Sequence, residues 1–204
     1  MKPILFNTEM VKAILEGRKI QTRRAIPLKN NDLIFTGFVM SSTAKNREGY
    51  CAFGKNKEQD LEFIKPKYKV GDILYVREPA KVVSPPVETC KKLTFKYLAD
   101  NKTTEIFIDD DFDYSKKWIQ RCQGVPNGCL KEMARIFLKV TNVRVERLQD
   151  ITFDDIEKYG IKFNLKINGK NKFKILWNST AKDGYKWEDN PYVFVYEFER
   201  IEKQ

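Results

Sequence analysis

Apolar positions along the chain follow two rhythms. Met10, Val11, Ile14 and Leu15 make one helical stripe, which predicts a helix over Thr8–Glu16. Asn7 can cap it, Glu9 sits in its first turn and Gly17 is placed to end it. Ahead of it, Ile4–Phe6 reads as a short strand. Residues 33–39 and 49–54 predict two strands around a polar tip, Ser41–Glu48. Ile73-Leu74-Tyr75-Val76, entered through Gly71-Asp72, is a short apolar run of the kind found in buried strands. Leu93–Leu98 and Glu105–Ile108 predict a hairpin, with turn residues in Asp100-Asn101-Lys102. Alternation then runs over Arg135–Arg147, through Ile136, Leu138 and Val140 and on to Val143 and Val145. Its phase slips at Thr141-Asn142, where a bulge or bend is expected.

The last third reads as helix, helix, strand. Thr152 and Asp155 have the spacing of a capping box that opens a helix through Lys158, closed by Tyr159-Gly160. A second helix over 173–180 buries Phe173, Leu176 and Trp177. Asn190-Pro191 turns into a final strand, Tyr192–Ile201, with Phe194, Tyr196 and Phe198 on one face and Val193 and Val195 on the other. Lys55–Lys69 and Pro79–Lys92 read as loop, and Tyr114–Leu130 as loop with a little helix. About seven strands and three helices in mixed order exclude a regular βαβ alternation. A small, partly closed β-barrel flanked by helices, an α+β fold, fits better.

Composition sharpens this picture. The 204 residues suit one domain, and 42% apolar with 32% charged residues is a globular balance. The net charge of +10 suggests an anionic partner, most simply nucleic acid. Five cations and no acid lie between Gly17 and Asn30 (Arg18, Lys19, Arg23, Arg24 and Lys29), and five lysines and no acid between 162 and 174. Histidine is absent. That excludes Ser-His-Asp and Cys-His catalysis and His-ligated metal sites, so any general base is Lys, a carboxylate, Tyr or Cys. Cys51, Cys90, Cys122 and Cys129 contain no C-x-x-C pair and read as buried free thiols in a reducing cytoplasm. The acid run Asp109-Asp110-Asp111, with Asp113, reads as a solvated loop rather than a metal site. No signal peptide or membrane span is expected, and neither a metal nor a cofactor.

Three stretches together resemble the ASCH domain, a branch of the PUA-like barrels. They are Gly17-Arg18-Lys19-x-x-Thr22-x-Arg24, then Tyr68-x-Val70-Gly71-Asp72-Ile73-Leu74-Tyr75-Val76-Arg77-Glu78, then Val143-Arg144-Val145-Glu146-Arg147-Leu148-Gln149-Asp150-Ile151-Thr152. The closing Trp187-x-x-Asn190-Pro191-Tyr192-Val193-Phe194-Val195 is similar to larger members found in phages and prophages. The resemblance implies one PUA-like domain over 1–204, with insertions at about 28–66 and 80–130. Phage members tend to carry a Pro-Arg-Trp-like stretch before the long strand. Here Asn127-Gly128-Cys129-Leu130-Lys131-Glu132-Met133 stands instead, ahead of Arg135.

ASCH domains are thought to bind RNA in a cleft, and a small bacterial member is an amidohydrolase that deacetylates N4-acetylcytidine. Its catalytic Lys, Thr and Glu fall on Lys19, Thr22 and Glu78. The resemblance thus implies binding of RNA, a nucleoside or a nucleotide, with Arg18, Arg23, Arg24, Tyr75, Arg77, Lys170 and Lys172 as candidate contacts. Hydrolysis needs a nucleophile, a proton acceptor and an oxyanion partner, for which Thr22, Lys19 and Glu78 have the right chemistry. Lys19 must then lose its proton near pH 7, far below the ordinary lysine value of ~10.4. Burial and Arg24 push that way, whereas a touching Glu78 pushes back. Residues three apart on a regular strand face opposite sides, so a site shared by Lys19 and Thr22 requires an irregularity between them.

Blander readings stand beside these. Lys19 and Glu78 can form a mere surface ion pair, Thr22 can be an ordinary strand threonine, and Tyr75 can belong to the core. Three functions remain open: a hydrolase of an N-acylated cytidine, a non-catalytic RNA-binding module, and a phage-encoded protein that binds a host protein.

Overall fold

The computed structural model describes residues 1–30, 32–40, 46–56, 61–83, 92–107, 116–125, 128, 131–162 and 166–202. In chain order the elements are β1 (Lys2–Leu5), α1 (Thr8–Leu15), β2 (Gln21–Ala25), β3 (Ile34–Phe38), β4 (Cys51–Gly54), β5 (Glu62–Ile64), β6 (Ile73–Arg77) and β7 (Ala80–Val82). They continue with β8 (Lys92–Tyr97), β9 (Thr103–Phe107), α2 (Lys117–Gln120), β10 (Phe137–Arg147), α3 (Phe153–Lys158), α4 (Lys166–Thr180) and β11 (Tyr192–Ile201). The class is α+β with strands dominant. The described strands form three sheets, each left open by the described pairings. No helix of the described residues is long and apolar enough to cross a membrane.

The chain divides into two compact units. The first comprises Met1–Ile20, Asp72–Lys139 and Phe198–Gln204. Here β1 runs parallel to β6, with Lys2 opposite Leu74 and Leu5 opposite Arg77. The start of β10 pairs antiparallel with the other edge of β6. Helix α1 buries Met10, Val11, Ala13 and Ile14, and the Asn7 side chain accepts from the Met10 amide at 2.9 Å. The predicted 80–130 insertion builds its own antiparallel sheet, β7-β8-β9. One face of that sheet supplies Ala80, Val82, Leu93, Phe95 and Tyr97 to a core closed by Ile119, Val125 and Met133.

The second unit comprises Gln21–Gly71 and Val140–Glu197. The predicted 28–66 insertion contributes a second three-stranded antiparallel sheet, β3-β4-β5. Its register shifts between Phe35 and Gly37. Strand β11 pairs with β2 from Val193 opposite Ala25 to Glu197 opposite Gln21. Helix α3 opens with the expected capping box: Thr152 accepts from the Asp155 amide, and the Asp155 carboxylate accepts from the Thr152 amide. Phe173 of α4 sits among Tyr159, Trp177 and Trp187, with ring centroids 5.2–6.1 Å apart. Burial of such a ring contributes roughly 1.5–3 kcal/mol. Lys186 Nζ donates to the carbonyls of Asn178 and Ala181, at 3.0 and 2.5 Å, and so satisfies acceptors at the end of α4.

Several expectations need correction. Helix α4 starts at Lys166, not 173, so much of the lysine-rich segment is helical. Leu176 is half-buried. Strands β5 and β7 lie in stretches read as loop, because three residues carry too little alternation to be recognised. The phase slip at Thr141-Asn142, by contrast, is present: two successive residues are exposed there within the continuous strand β10. Cys51 and Cys122 are free thiols, whereas Cys90, Cys129 and Asp109–Asp113 lie outside the described residues.

Candidate functional site

In the first unit, the end of α1 decides where Lys19 goes. Gly17 adopts φ +72°, which residues with a Cβ rarely tolerate, and the chain doubles back. The amides of Arg18 and Lys19 then both donate to the Ala13 carbonyl, at 2.9 and 3.0 Å. Lys19 lies outside β2 and is 1% exposed, its Nζ 5.6 Å from the centroid of the Phe6 ring. Arg18 stays at the surface, paired with Glu16 at 2.6 Å.

Glu78, just beyond β6, is fully buried. Arg135 Nε and Nη2 each reach one of its carboxylate oxygens at 2.8 Å, and Arg135 Nη1 holds Asp100 at 2.7 Å. The guanidinium stacks on Tyr97, 3.8 Å from the ring centroid, and the Tyr97 hydroxyl donates to the Met133 carbonyl at 2.5 Å. The hydrogen bond from Arg135 holds the Asp100 carboxyl below its usual range. Burial works against the charge on Arg135, but the bonds to Glu78 and Asp100 outweigh it and raise its pKa. A mere surface ion pair between Lys19 and Glu78 is excluded, because both residues are buried. Tyr75 and Arg77 are half-buried on the face of β6 opposite Leu74 and Val76. Gly128 packs on the Arg77 backbone: a Cβ there would lie 2.9 Å from the Arg77 carbonyl oxygen.

In the second unit, the first three residues of β2 are all buried, so their burial does not alternate. Gln21 and Arg23 point into a network of charges. Arg23 donates to Glu146 from Nε (3.1 Å) and Nη2 (2.6 Å), lies 3.2 Å from Asp155 and bonds the Gln21 side chain. Arg144 reaches Glu146 at 3.1 Å, Asp155 at 2.7 Å and Glu197 at 2.5 Å. Burial alone would raise the Asp155 pKa. The Gln21 hydrogen bond, the Arg23 charge and the Thr152 bonds win, and bring it down to about 2.

Arg23 is therefore not an exposed cation, and the expectation that it contacts nucleic acid is corrected. Its guanidinium is committed to carboxylates inside the protein. Arg24, next along, is half-buried and donates to the Arg23 carbonyl at 3.3 Å.

Thr22 is fully buried, and its Oγ1 makes no hydrogen bond of good geometry. The Tyr159 phenol is close enough to interact with it. Burial raises the Tyr159 pKa, against smaller opposing effects of Arg24, Thr22 and Arg23. On α4, Lys170 Nζ lies 6.0 Å from the Phe153 ring centroid, and Lys172 donates to the Lys162 carbonyl at 2.9 Å. Arg147 stacks on Tyr192 at 3.8 Å and has no carboxylate partner among the described residues.

The candidate residues thus fall into two groups: Arg18, Lys19, Tyr75, Arg77 and Glu78 in one unit, Thr22, Arg23, Arg24, Lys170 and Lys172 in the other. The sequence alone assigns no role to Asp100, Arg144, Glu146, Asp155 or Glu197 as charge partners. The two-residue spacings Gln21-x-Arg23 and Arg144-x-Glu146 are the available signal, since they place pairs of polar groups on one side of a strand. Among the described residues no three His, Cys, Asp or Glu gather as a metal site. No family model, curated protein or solved structure matches this chain.

Proposed function

We propose that this chain binds RNA or a modified nucleoside, in the manner of the PUA-like ASCH barrels that its motifs resemble. One observation carries the reading. Among the described residues, the buried polar or charged ones are Lys19, Gln21, Thr22, Arg23, Glu78 and Asp155, and four of them belong to the segment 19–23. Burying polar side chains is unfavourable unless partners satisfy them. The chain concentrates this expense in the motif that the resemblance marks, where the buried Thr22 hydroxyl makes no well-formed hydrogen bond and has the Tyr159 phenol beside it.

The experiment is turnover of N4-acetylcytidine, as nucleoside and within a short RNA, followed by mass spectrometry. Release of cytidine by the wild type and not by Lys19→Ala assigns hydrolysis to this motif. A specific observation favours the second reading, a binding module without turnover: both oxygens of Glu78 are already held by Arg135. Under that reading neither substrate is hydrolysed, and Thr22→Val weakens binding of the RNA.

A further inference from the structure

The sheet built from β7, β8 and β9 has a second face that the proposed function does not use. Alternation sends Ala80, Val82, Leu93, Phe95 and Tyr97 inward. It leaves Lys81, Lys92, Thr94, Lys96, Glu105 and Phe107 on the other side. Two features of that outer face are unfavourable for an isolated protein. Phe107, on β9, is 78% exposed. Lys81 and Lys96 are direct cross-strand partners, and neither has a carboxylate partner among the described residues. Like charges placed opposite each other weaken a sheet. Lys92, whose register partner is Phe107, holds its Nζ 5.0 Å from that ring centroid while paired with Glu105 at 3.3 Å.

We infer that this face is a docking surface for single-stranded nucleic acid. Its chemistry is that of a stacking platform with phosphate contacts: an open aromatic ring for a base and ammonium groups for the backbone. From the Lys92–Phe107 row to the Lys81–Lys96 row is four residues, about 13 Å along the strands. That length accommodates a few nucleotides of an extended strand. The open face of a three-stranded sheet is broader than a duplex groove, whereas unstacked bases present their rings to it. An acidic protein would answer the lysines but leave Phe107 without a matching partner. The inference rests on the RNA-binding reading for its ligand class and adds a surface remote in sequence from the 19–23 motif.

The test uses the full chain and a fluorescein-labelled oligouridine of about 12 nucleotides, with oligothymidine as the DNA arm and polyglutamate as competitor. Phe107→Ala is expected to weaken binding about tenfold with an unchanged thermal midpoint. Lys81→Gln with Lys96→Gln is expected to flatten the log–log salt dependence by about 1.4, roughly 0.7 for each phosphate that is no longer neutralised. Irradiation of a 5-iodouridine strand is expected to cross-link to Phe107. Binding and salt slope unchanged in these variants overturn the inference, as does displacement by polyglutamate as effective as that by unlabelled oligouridine. If Thr22→Val abolishes binding and Phe107→Ala does not, the surface is wrong and the motif reading stands. The reverse pattern supports the surface and counts against the motif.

Discussion

Arg135 closes on Glu78 like a fork, Nε to Oε1 and Nη2 to Oε2, both at 2.8 Å. The two partners are unequally placed. Glu78 is fully buried, whereas Arg135 keeps part of its side chain in solvent. Removing the arginine strands a charge in the interior, so Arg135→Ala is expected to destabilise the fold by about 3–5 kcal/mol. Replacing both residues with apolar ones of similar volume is expected to lose much less. Urea denaturation of the single and double variants checks this.

Acid should loosen the second network. The Asp155 carboxyl is depressed from 3.8 to about 2 in the folded state. Its contribution is therefore complete above the unfolded value and is lost as pH falls through the folded one. The linkage amounts to about 2 kcal/mol. Denaturant midpoints are expected to fall between pH ~4 and ~2, and Asp155→Asn to remove part of that dependence. A midpoint insensitive to pH in that window would show that Asp155 is not held by Gln21 and Arg23.

Gly128→Ala is expected to be harmful for two separate reasons. The backbone there has φ +79°, and the new methyl would lie 2.9 Å from the Arg77 carbonyl oxygen and 3.1 Å from Leu5 Cδ1. Strain and overlap together are expected to lower stability by about 2 kcal/mol. Thermal unfolding beside a Gly124→Ala control, where the nearest atom is 3.8 Å away, separates the effect from a general loss of glycine.

The Cys51 thiol is pushed up to about 12 by burial. Thiolate is the reactive form, so iodoacetamide should leave Cys51 unmodified in the native protein and alkylate it in urea. Peptide mapping by mass spectrometry reads both states. Labelling of native Cys51 at the unfolded rate would contradict its burial.

Thr22→Val removes an unsatisfied buried hydroxyl while keeping its shape. Stability is expected to hold or rise by about 1 kcal/mol, while ligand binding or turnover falls. A stability loss instead would mean that the Tyr159 contact is structural.

How much of the molecule is legible in its residues depends on the range of the signal. The capping box of Thr152 and Asp155 and the last strand from Tyr192 to Ile201 occur as predicted, because their determinants are local. Lys19, Thr22 and Glu78 stand out by motif, and all three are buried. Arg23 reads as a surface cation because nothing near it in sequence is acidic. Its partners Glu146 and Asp155 arrive from more than a hundred residues away. Lys170 and Lys172 lie on a helix whose first turns lack an apolar rhythm, which is why periodicity places its start too late.

The parallel pairing of β1 with β6 has a consequence for biosynthesis. Lys2–Leu5 leave the ribosome well before their partners Leu74–Arg77, which follow some seventy residues later. At ~5–20 residues per second, the N-terminal strand waits for several seconds with Ile4 and Phe6 uncovered. The β3–β5 and β7–β9 sheets have no such delay, since each pairs strands that are neighbours in the chain. During synthesis β1 thus stays unpaired while the two small sheets can already close, and its apolar residues are where a chaperone would have something to hold.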